Sequence, residues 1–238
     1  MQLVMLAAGI GSRLGLDVTN KCFAKICGKY LLDYNLELFL NIDLSEIILI
    51  VGHNSKYIID YIGNSYHGIP VTYVYQERLL GIAHAIKIAS SYIHEPFIMC
   101  LSDELFINSN IEDMCIYFSQ SHIDCLCGVV DDTVENIQKA YTLDITSDNT
   151  ILQLIEKPTF VFNHWKGTGC CFMKPIMLTL LATLQPNFKR KEYEMGDWIQ
   201  LAIDNDFTCE IYPIASVNFN LNTKEDIALA ESYLKLVK

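Results

Sequence analysis

The sequence predicts an α/β fold built on a doubly wound, mixed but mostly parallel sheet, with a smaller β-rich lobe in the second half. Short apolar runs rich in β-branched residues alternate with longer amphipathic runs through the first half of the chain. Continuous apolar strands between helical patterns are typical of βαβ units, whose parallel sheet is covered by helices on both faces. After about residue 130 this alternation loosens, which indicates a change of architecture.

The predicted elements follow one another in a regular order. In the first half, strands are predicted at QLVMLAA, EIILIV, PVTYVY and PFIMCL, and helices at residues 31–40, 57–62, 81–90 and 111–118. In the second half, strands are predicted at residues 141–145, 151–155 and 168–173, then a helix at 193–205, the strand TCEIYPI and a last helix that begins at Thr223. We expect a single domain over residues 1–238 with two halves, 1–130 and 131–238.

Composition restricts the class of protein. Of the 238 residues, 51% are hydrophobic and 19% are charged, as in globular chains rather than disordered ones. The formal net charge of −11 disfavours nucleic acid or an anionic membrane as a partner, since both need a broad basic face. The longest apolar runs are of strand length, far below the roughly 20 residues of a membrane span. The N-terminus lacks the features of a signal peptide, so we expect a cytoplasmic protein.

Nine cysteines lie among apolar neighbours, as reduced buried thiols do, and we expect no disulfides. Cys125 and Cys127, together with the adjacent Cys170 and Cys171, come nearest to a metal-binding pattern. The CxxC spacing of zinc sites is absent from the sequence, so we do not expect zinc.

The strongest functional signal is the turn LAAGIGSRLG, which directly follows the first strand. Its glycines let backbone N–H groups approach an anion closely, and Arg13 adds a cation inside the loop. Lys21, Lys25 and Lys29 follow within the first thirty residues, where Asp17 is the only acid, so the segment indicates a local anion site. The Walker pattern GxxxxGK[ST] is absent and the dinucleotide fingerprint GxGxxG is not matched, which removes most support for nicotinamide binding. A plain strand-to-helix turn is the alternative.

Together with the segment NKCFAKICGKYLL, this turn resembles the signature of the nucleotide-diphospho-sugar pyrophosphorylase family, LAAGxGTRLx…PKxLxxVxGKPLL. Lys21 stands at the signature lysine, and we expect it in a solvent-facing loop. Asn20, Lys25 and Tyr30 stand where the family has prolines, and the loop before Lys21 is shorter than in hexose-1-phosphate thymidylyltransferases. The resemblance extends over nearly the whole chain. It implies a Rossmann-like, GT-A-like nucleotidyltransferase fold in which residues 1–130 bind the NTP and residues 131–238 bind the acceptor.

The segment QERLLGIAHA resembles the family's QxxxxGLAHA, whose glutamine and glycine contact the nucleobase. An amide after a strand can pair with a base edge, and a glycine that opens a helix lets a flat ring lie close to the backbone. An ordinary strand-to-helix turn is again the alternative. The resemblance implies nucleotide contacts along both motifs, at Leu6, Ala7, Ala8, Gly9, Gly11, Ser12, Gln76, Gly81, Ile82 and Ala83.

Two motifs imply a magnesium site. LSDELF resembles LGDxxF and places an acid, Asp103, at the carboxyl end of a central strand, where it can hold the Mg²⁺ that bridges NTP phosphates. Glu104 should face differently, or cap the next turn. NFNLNTKED resembles WxDIGTPEDL, so Asn220 stands at the second metal ligand, and an amide oxygen can serve Mg²⁺. In the alternative interpretation, the asparagines only shape the loop before a helix start at Thr223 and Asp226.

Three further motifs imply the acceptor site. IEKP matches the family's EKP, in which the glutamate binds acceptor hydroxyls and the lysine binds the acceptor phosphate, here Glu156 and Lys157. TGCCFM resembles AGxYxF and supplies Gly169, with cysteine in place of the tyrosine. EYEMGD resembles GEYELTDAI and supplies Glu194, in a segment that lines the acceptor pocket or simply begins a helix.

The resemblance implies a Mg²⁺-dependent nucleotidyltransferase that joins an NTP, with UTP or dTTP favoured, to a sugar 1-phosphate and releases pyrophosphate. The acceptor phosphate is already anionic at neutral pH, so catalysis needs positioning and charge neutralisation, carried by Arg13, Lys21 and Asp103, rather than a general base. Two alternatives stay open: a CTP-dependent enzyme for a phosphate or phosphonate such as phosphocholine, and a non-catalytic subunit that binds sugar nucleotides. The partners are expected to be small molecules. The sequence does not decide the oligomeric state, and a homo-oligomer is one option.

Overall fold

The computed structural model describes residues 1–9 and 20–237. The strands in these ranges are β1 Gln2–Ala7, β2 Lys25–Ile26, β3 Lys29–Tyr30, β4 Glu46–Val51, β5 Ser65–Tyr66, β6 Ile69–Tyr75, β7 Phe97–Leu101, β8 Glu104–Ser109, β9 Cys125–Asp131, β10 Tyr141–Ile145, β11 Ile151–Glu156, β12 Trp165–Met173, β13 Cys209–Pro213 and β14 Ala215–Asn220. The α-helices are α1 Leu31–Glu37, α2 Ser55–Ile62, α3 Ile82–Ala89, α4 Ile111–Gln120, α5 Val134–Ile137, α6 Met195–Ile203 and α7 Lys224–Leu236. Short 3-10 helices lie at Lys21–Phe23, Ser90–Tyr92 and Pro175–Ala182.

An eight-stranded sheet forms the centre of the molecule, in the order β13-β9-β12-β7-β1-β4-β6-β5. β7, β1, β4 and β6 run parallel to one another, and β13 runs parallel to β9. β12 runs antiparallel to both of its neighbours, β7 and β9. These pairings, with helices in the connections, confirm the predicted doubly wound, mixed and mostly parallel sheet.

Both faces of this sheet are covered, which explains why its strands are continuously apolar. Val4 of β1 faces one core, which includes Ile86 of α3 and Trp198 of α6. Leu3, next to it in the same strand, faces the opposite core with Met114 of α4. Successive side chains of a strand point to opposite faces, so a strand between two cores shows no polar alternation.

A smaller layer lies beside the sheet and brings the end of the chain to the crevice. β14 pairs antiparallel with β8, and Asn220 stands opposite Glu104. Leu221 is buried against this pair in a third apolar cluster. α7 begins with a capping box, in which Thr223 Oγ1 accepts from the Asp226 N–H and the Asp226 carboxylate accepts from the Thr223 N–H. The helix start predicted at Thr223 is confirmed, and it fixes the end of β14 next to β8.

The largest differences from the sequence-based prediction lie in the second half. β12 begins at Trp165, earlier than the strand predicted at residues 168–173. A charged residue near the start of a strand argues against burial, but Lys166 is only 6% exposed and forms an ion pair with Asp132. β12 and β13 join the central sheet rather than a separate lobe, whereas β10 and β11 form a two-stranded sheet of their own. Among the described residues, no helix has the length and apolar character needed to cross a bilayer.

Candidate active site

The site lies at the carboxyl ends of β1 and β7. Ser102, directly after β7, donates from its N–H and its Oγ to the Leu6 carbonyl oxygen, at 3.2 and 2.7 Å. These two bonds join the turn that carries Asp103 to the strand that leads into the predicted phosphate loop. The described part of that loop motif is Leu6, Ala7, Ala8 and Gly9. The other predicted loop residues, Gly11, Ser12 and Arg13, lie outside the described residues.

The predicted base-binding motif packs against the chain that leads into α6. The Gln76 side chain is buried, and its Nε2 donates to the Gly81 carbonyl oxygen at 3.3 Å. Gly81 has a φ of 103°, and a Cβ there would lie 2.4 Å from the Tyr193 carbonyl oxygen. The same carbonyl accepts from the Ala83 N–H at 3.0 Å. In the structure, therefore, the Tyr193 backbone makes the close approach to Gly81 that the sequence suggested for a flat ring.

Lys21 and Asp103 form the polar centre of the site. Lys21 Nζ lies 2.6 Å from Asp103 Oδ2 and donates to Asn222 Oδ1 at 2.9 Å. Asn222 in turn donates from Nδ2 to Asn220 Oδ1 at 2.7 Å. The prediction that Lys21 lies in a solvent-facing loop is wrong, because these partners hold the Lys21 side chain and only 10% of it is exposed.

Asn20, which stands in place of a family proline, helps to place Lys21. Residues Lys21–Phe23 form one 3-10 turn, and Asn20 Oδ1 accepts from the Cys22 N–H at 3.0 Å, as a helix-capping asparagine does. Cys22 Sγ lies 3.2 Å from Ser102 Oγ. The turn is thus anchored on the serine that also holds the Asp103 turn, so that the cation and the carboxylate are positioned together.

Glu104 fixes the neighbouring strand β12. It is buried, its two carboxylate oxygens both accept from the Gly169 N–H at 3.0 Å, and one of them accepts from Asn218 Nδ2 at 3.2 Å. Burial, and then the charge of Asp103, raise the pKa of Glu104 to about 7. Through these bonds Glu104 sets Gly169 at a fixed position relative to the Asp103 turn.

A cavity of about 310 Å³, called the first cavity below, opens beside this centre and is large enough for a small ligand. Its wall combines the turn after β7 with parts of β11, β12 and the chain before α6. Gln76 and Ala83 are not part of its lining. The structure therefore brings residues predicted for the nucleotide, the acceptor and the metal to one cavity. Those residues are Gly81, Ile82, Asp103, Glu156, Lys157, Gly169, Glu194 and Asn220.

Glu156, Lys157 and Glu194 line one side of the first cavity, and Arg190 pairs with Glu194. Burial, and then the charge of Glu194, raise the pKa of Glu156 to about 7. Burial also raises the pKa of Glu194. Glu194 forms an ion pair with Arg190, in which Nε and Oε1 lie 2.6 Å apart, but the geometry is not that of a hydrogen bond. Lys157 has a left-handed φ of 46°, and its N–H donates to the Ala140 carbonyl oxygen at 2.7 Å. Arg190 was not singled out from the sequence, where only its spacing of four residues from Glu194 gave a signal.

Sequence reasoning also missed a buried charge pair next to this cavity. Lys166 Nζ lies 2.5 Å from Asp132 Oδ2 and donates to the Asn218 carbonyl oxygen at 2.9 Å. Burial opposes the ionisation of Asp132, but hydrogen bonds from Lys166 and Asn136 lower its pKa. These residues line a second cavity of about 760 Å³, which shares Glu104 and other lining residues with the first. The available signal was a lysine close to the apolar run of β12.

The resemblance implies Mg²⁺, and the oxygen donors at the polar centre fit this ion. Asp103 offers a carboxylate and Asn220 an amide oxygen, and both belong to the hydrogen-bonded cluster around Lys21. Among the described residues, no group of three or more histidine, cysteine, aspartate or glutamate side chains is arranged to hold a metal. A set of one or two side-chain ligands is typical of Mg²⁺ that is also bound by substrate phosphates.

The profile of the family described as nucleotidyl transferase matches residues 2–216. The UTP–glucose-1-phosphate uridylyltransferase AglF of Haloferax volcanii is 28% identical over 238 residues, which cover 99% of this chain and 97% of the relative. The glucose-1-phosphate thymidylyltransferase of Streptomyces antibioticus is 28% identical over 209 residues, which cover 86% of this chain but only 58% of that relative.

Solved structures show the same fold. UDP-glucose pyrophosphorylase in complex with UDP-glucose superposes with a TM-score of 0.87 over 100% of this chain and 99% of the other, at 19% identity. The inositol-1-phosphate CTP transferase of T. maritima gives a TM-score of 0.78 over 98% and 96%, at 18% identity. The family profile covers most of the chain and agrees with the motifs that carry the resemblance. The chain belongs to the nucleotidyl transferase family.

Proposed function

We propose that this chain transfers a nucleotidyl group from an NTP, with UTP or dTTP favoured, to a sugar 1-phosphate, forming an NDP-sugar and pyrophosphate. The main support is the first cavity, whose wall contains Asp103, the ion-pair partner of Lys21, together with Glu156 and Lys157. Relatives named as a glucose-1-phosphate uridylyltransferase and a thymidylyltransferase support this acceptor and these bases. We also expect a cytoplasmic location.

The reaction is a displacement at the α-phosphorus of the NTP. An anionic oxygen of the acceptor phosphate forms the new P–O bond while the bond to pyrophosphate breaks, so that no proton has to be removed first. Lys21 has three N–H donors, of which Asp103 and Asn222 take two. Among the described residues the third has no acceptor, and we expect it to donate to an oxygen of the α-phosphate, where negative charge develops. Arg13 and the backbone of its loop would bind the β- and γ-phosphates.

The acceptor would bind on the opposite side of the first cavity. Lys157 is exposed and would pair with the acceptor phosphate, while Glu156 and Glu194 would accept hydrogen bonds from sugar hydroxyls. Gly169 is buried and held by Glu104, and the Leu101 side chain packs over it, since a Cβ there would lie 2.3 Å from Leu101 Cγ. Both residues line the first cavity, and we expect them to form the wall beside the sugar ring. This arrangement would hold the acceptor oxygen in line with the α-phosphorus.

Asp103 and Asn220 would hold a Mg²⁺ ion. When bound, this ion supplies positive charge that neutralises phosphate oxygens on the transferred and leaving groups. Asp103 would provide the full negative charge of the site and Asn220 a neutral oxygen. The ion pair with Lys21 holds the Asp103 carboxylate in place before substrate binds.

A pyrophosphate-release assay tests the proposal. Wild-type protein is combined with ATP, CTP, GTP, UTP and dTTP in turn, each against a panel of sugar 1-phosphates, phosphocholine and aminoethylphosphonate. We expect release with UTP or dTTP and at least one sugar 1-phosphate. Release only with CTP and phosphocholine would establish the alternative acceptor class. Binding of nucleotide sugars without release in any combination would indicate a non-catalytic subunit.

A further inference from the structure

Asn222 forms hydrogen bonds with both Lys21 and Asn220 and so connects these two residues. Its Oδ1 accepts from Lys21 Nζ at 2.9 Å, and its Nδ2 donates to Asn220 Oδ1 at 2.7 Å. The motif WxDIGTPEDL has glycine at this position, so the resemblance gives Asn222 no role. The two bonds nevertheless run in one direction, from the lysine through Asn222 to Asn220.

The direction of these bonds is set by the chemistry of Lys21. A lysine ammonium has only donors, so the atom of Asn222 that faces it must be the amide oxygen. The NH₂ group of Asn222 then points to Asn220, and because this group is a donor, Asn220 must offer it an acceptor. Asn220 therefore presents Oδ1 to Asn222. The Lys21 ammonium thus determines which end of each amide is the oxygen and which is the nitrogen.

The backbone around Asn222 is held firmly enough for this role. The Asn222 N–H donates to Asp226 Oδ2 at 2.9 Å, inside the capping box of α7. The preceding Leu221 is fully buried, and its N–H donates to the Asp103 carbonyl oxygen at 2.9 Å. The asparagine thus projects from an anchored segment that is tied directly to the turn carrying Asp103.

We propose that Asn222 is a positioning residue that turns the Asn220 amide so that its oxygen, and not its NH₂ group, faces the divalent cation. An amide side chain can rotate to offer either group, and an NH₂ group is a donor that repels a cation. A carbonyl oxygen has two lone pairs, so the bond from Asn222 leaves one for the ion. This role rests on the proposed use of Asn220 as a metal ligand.

A double-mutant cycle on the full-length chain tests this role without measuring turnover. The probe is Mn²⁺ alone, and its dissociation constant is measured from the electron paramagnetic resonance signal of the free ion. Asn222→Leu keeps the approximate shape of the side chain and removes both hydrogen bonds. The substitution is made in the wild-type chain and in Asn220→Asp, whose carboxylate has two equivalent oxygens and no wrong orientation.

We expect Asn222→Leu to weaken Mn²⁺ binding roughly ten-fold in the wild-type chain, the lower end of the loss seen when a residue that hydrogen-bonds to a metal ligand is removed. In Asn220→Asp the same substitution should change binding less than about two-fold, because there is no amide left to orient. Thermal unfolding is followed for all four chains, and Asn222→Ala replaces Asn222→Leu if leucine prevents folding.

Equal losses in both backgrounds would overturn the proposal, since they would mean that Asn222 only shapes the loop. It would also be overturned if neither background lost affinity, or if Asn220→Ala left Mn²⁺ binding unchanged. Failure of the proposed function is seen separately, as the absence of pyrophosphate release from the wild-type protein with sugar 1-phosphates.

Discussion

The ring of Tyr141 occupies the space above Gly167, so that a Cβ at residue 167 would lie 1.8 Å from the ring carbon Cε2. Tyr141 is buried, and its hydroxyl donates to the Thr168 carbonyl oxygen at 3.0 Å. Tyr141 and Gly167 both line the first cavity. A tyrosine from β10 therefore covers β12 close to Cys171, the position at which the family pattern has its own tyrosine.

Gly167→Ala should destabilise the protein by about 1–3 kcal/mol, because the new methyl group forces the Tyr141 ring out of place. It should also raise the acceptor KM, since the displaced ring is part of the cavity wall. Urea unfolding and steady-state kinetics measure the two effects. Combining the substitution with Tyr141→Leu should relieve the overlap, so the double variant should be more stable than the sum of the single losses predicts. A fully stable Gly167→Ala would contradict the overlap.

Lys21→Ala should lower kcat roughly 100-fold, because it removes the cation proposed to meet charge that develops at the α-phosphate. Pyrophosphate release at saturating substrates measures the effect. Lys25→Ala is the matched control, since Lys25 lies in the same segment but is exposed and contacts the Tyr30 ring. A Lys21→Ala variant that keeps more than about a tenth of the wild-type turnover would remove Lys21 from the catalytic group.

Activity toward sugar acceptors should rise with pH through about 7. Burial and Glu194 raise the pKa of Glu156 to about 7, so at lower pH the carboxyl is protonated and accepts hydroxyl hydrogen bonds poorly. Above that pH the carboxylate forms, and kcat/KM for the acceptor should level off. The check is a pH profile of kcat/KM for Glu156→Gln, which should lack this rise. Glu192→Gln, a control at an exposed residue of the same cavity, should keep it.

The same substitution separates the two acceptor classes. Glu156→Gln should lower kcat/KM for a sugar 1-phosphate roughly ten-fold or more, because charge-assisted hydrogen bonds to hydroxyls are lost. Phosphocholine has no hydroxyl for Glu156, so its kcat/KM should not change. Equal losses on both acceptors would mean that Glu156 serves the fold rather than sugar recognition.

Lys157→Ala should raise the KM of every acceptor roughly ten-fold to 100-fold and leave the NTP KM nearly unchanged, because it removes a cation from the acceptor phosphate. Initial rates with each substrate varied in turn measure both constants. Lys139→Ala is the control, since Lys139 lines the same cavity but pairs with Glu135 at its surface. A larger effect on the NTP KM than on the acceptor KM would place Lys157 on the nucleotide side.

Activity should depend strictly on a divalent ion. Asp103→Asn should remove most turnover, because Asp103 supplies the full negative charge proposed to hold the metal, and Asn220→Ala should remove less. Turnover is measured with added Mg²⁺ and with excess EDTA. Asp131→Asn, at an exposed carboxylate on the second cavity, should have little effect. Undiminished turnover in EDTA would exclude the metal.

The apolar strands were predictable from the sequence because burial on both faces leaves a continuous apolar run, as in β4 and β7. The motif residues were predictable because most of them stand at the end of a strand or the start of a helix, and eight of them line the first cavity. The Lys21–Asn222 bond was not predictable, because its partners lie 201 residues apart and neither is unusual by itself. The Lys166–Asp132 pair was missed for a similar reason, since a lysine is expected to be exposed unless a charged partner for it can be identified.

The position of β12 between β7 and β9 affects how the protein can fold during synthesis. A ribosome completes β9 before it makes β12, yet β12 is the strand that joins β7 to β9 in the sheet. Until Met173 has emerged, neither β7 nor β9 has the strand that lies between them in the sheet, and the N–H and C=O groups along these edges are unpaired. Such edges can pair with other chains, so we expect this stage of translation to be prone to aggregation. Gly169 lies in this late strand, and Asn220 and Asn222 follow it in the chain, so the wall of the first cavity is assembled only after about nine-tenths of the chain has left the ribosome.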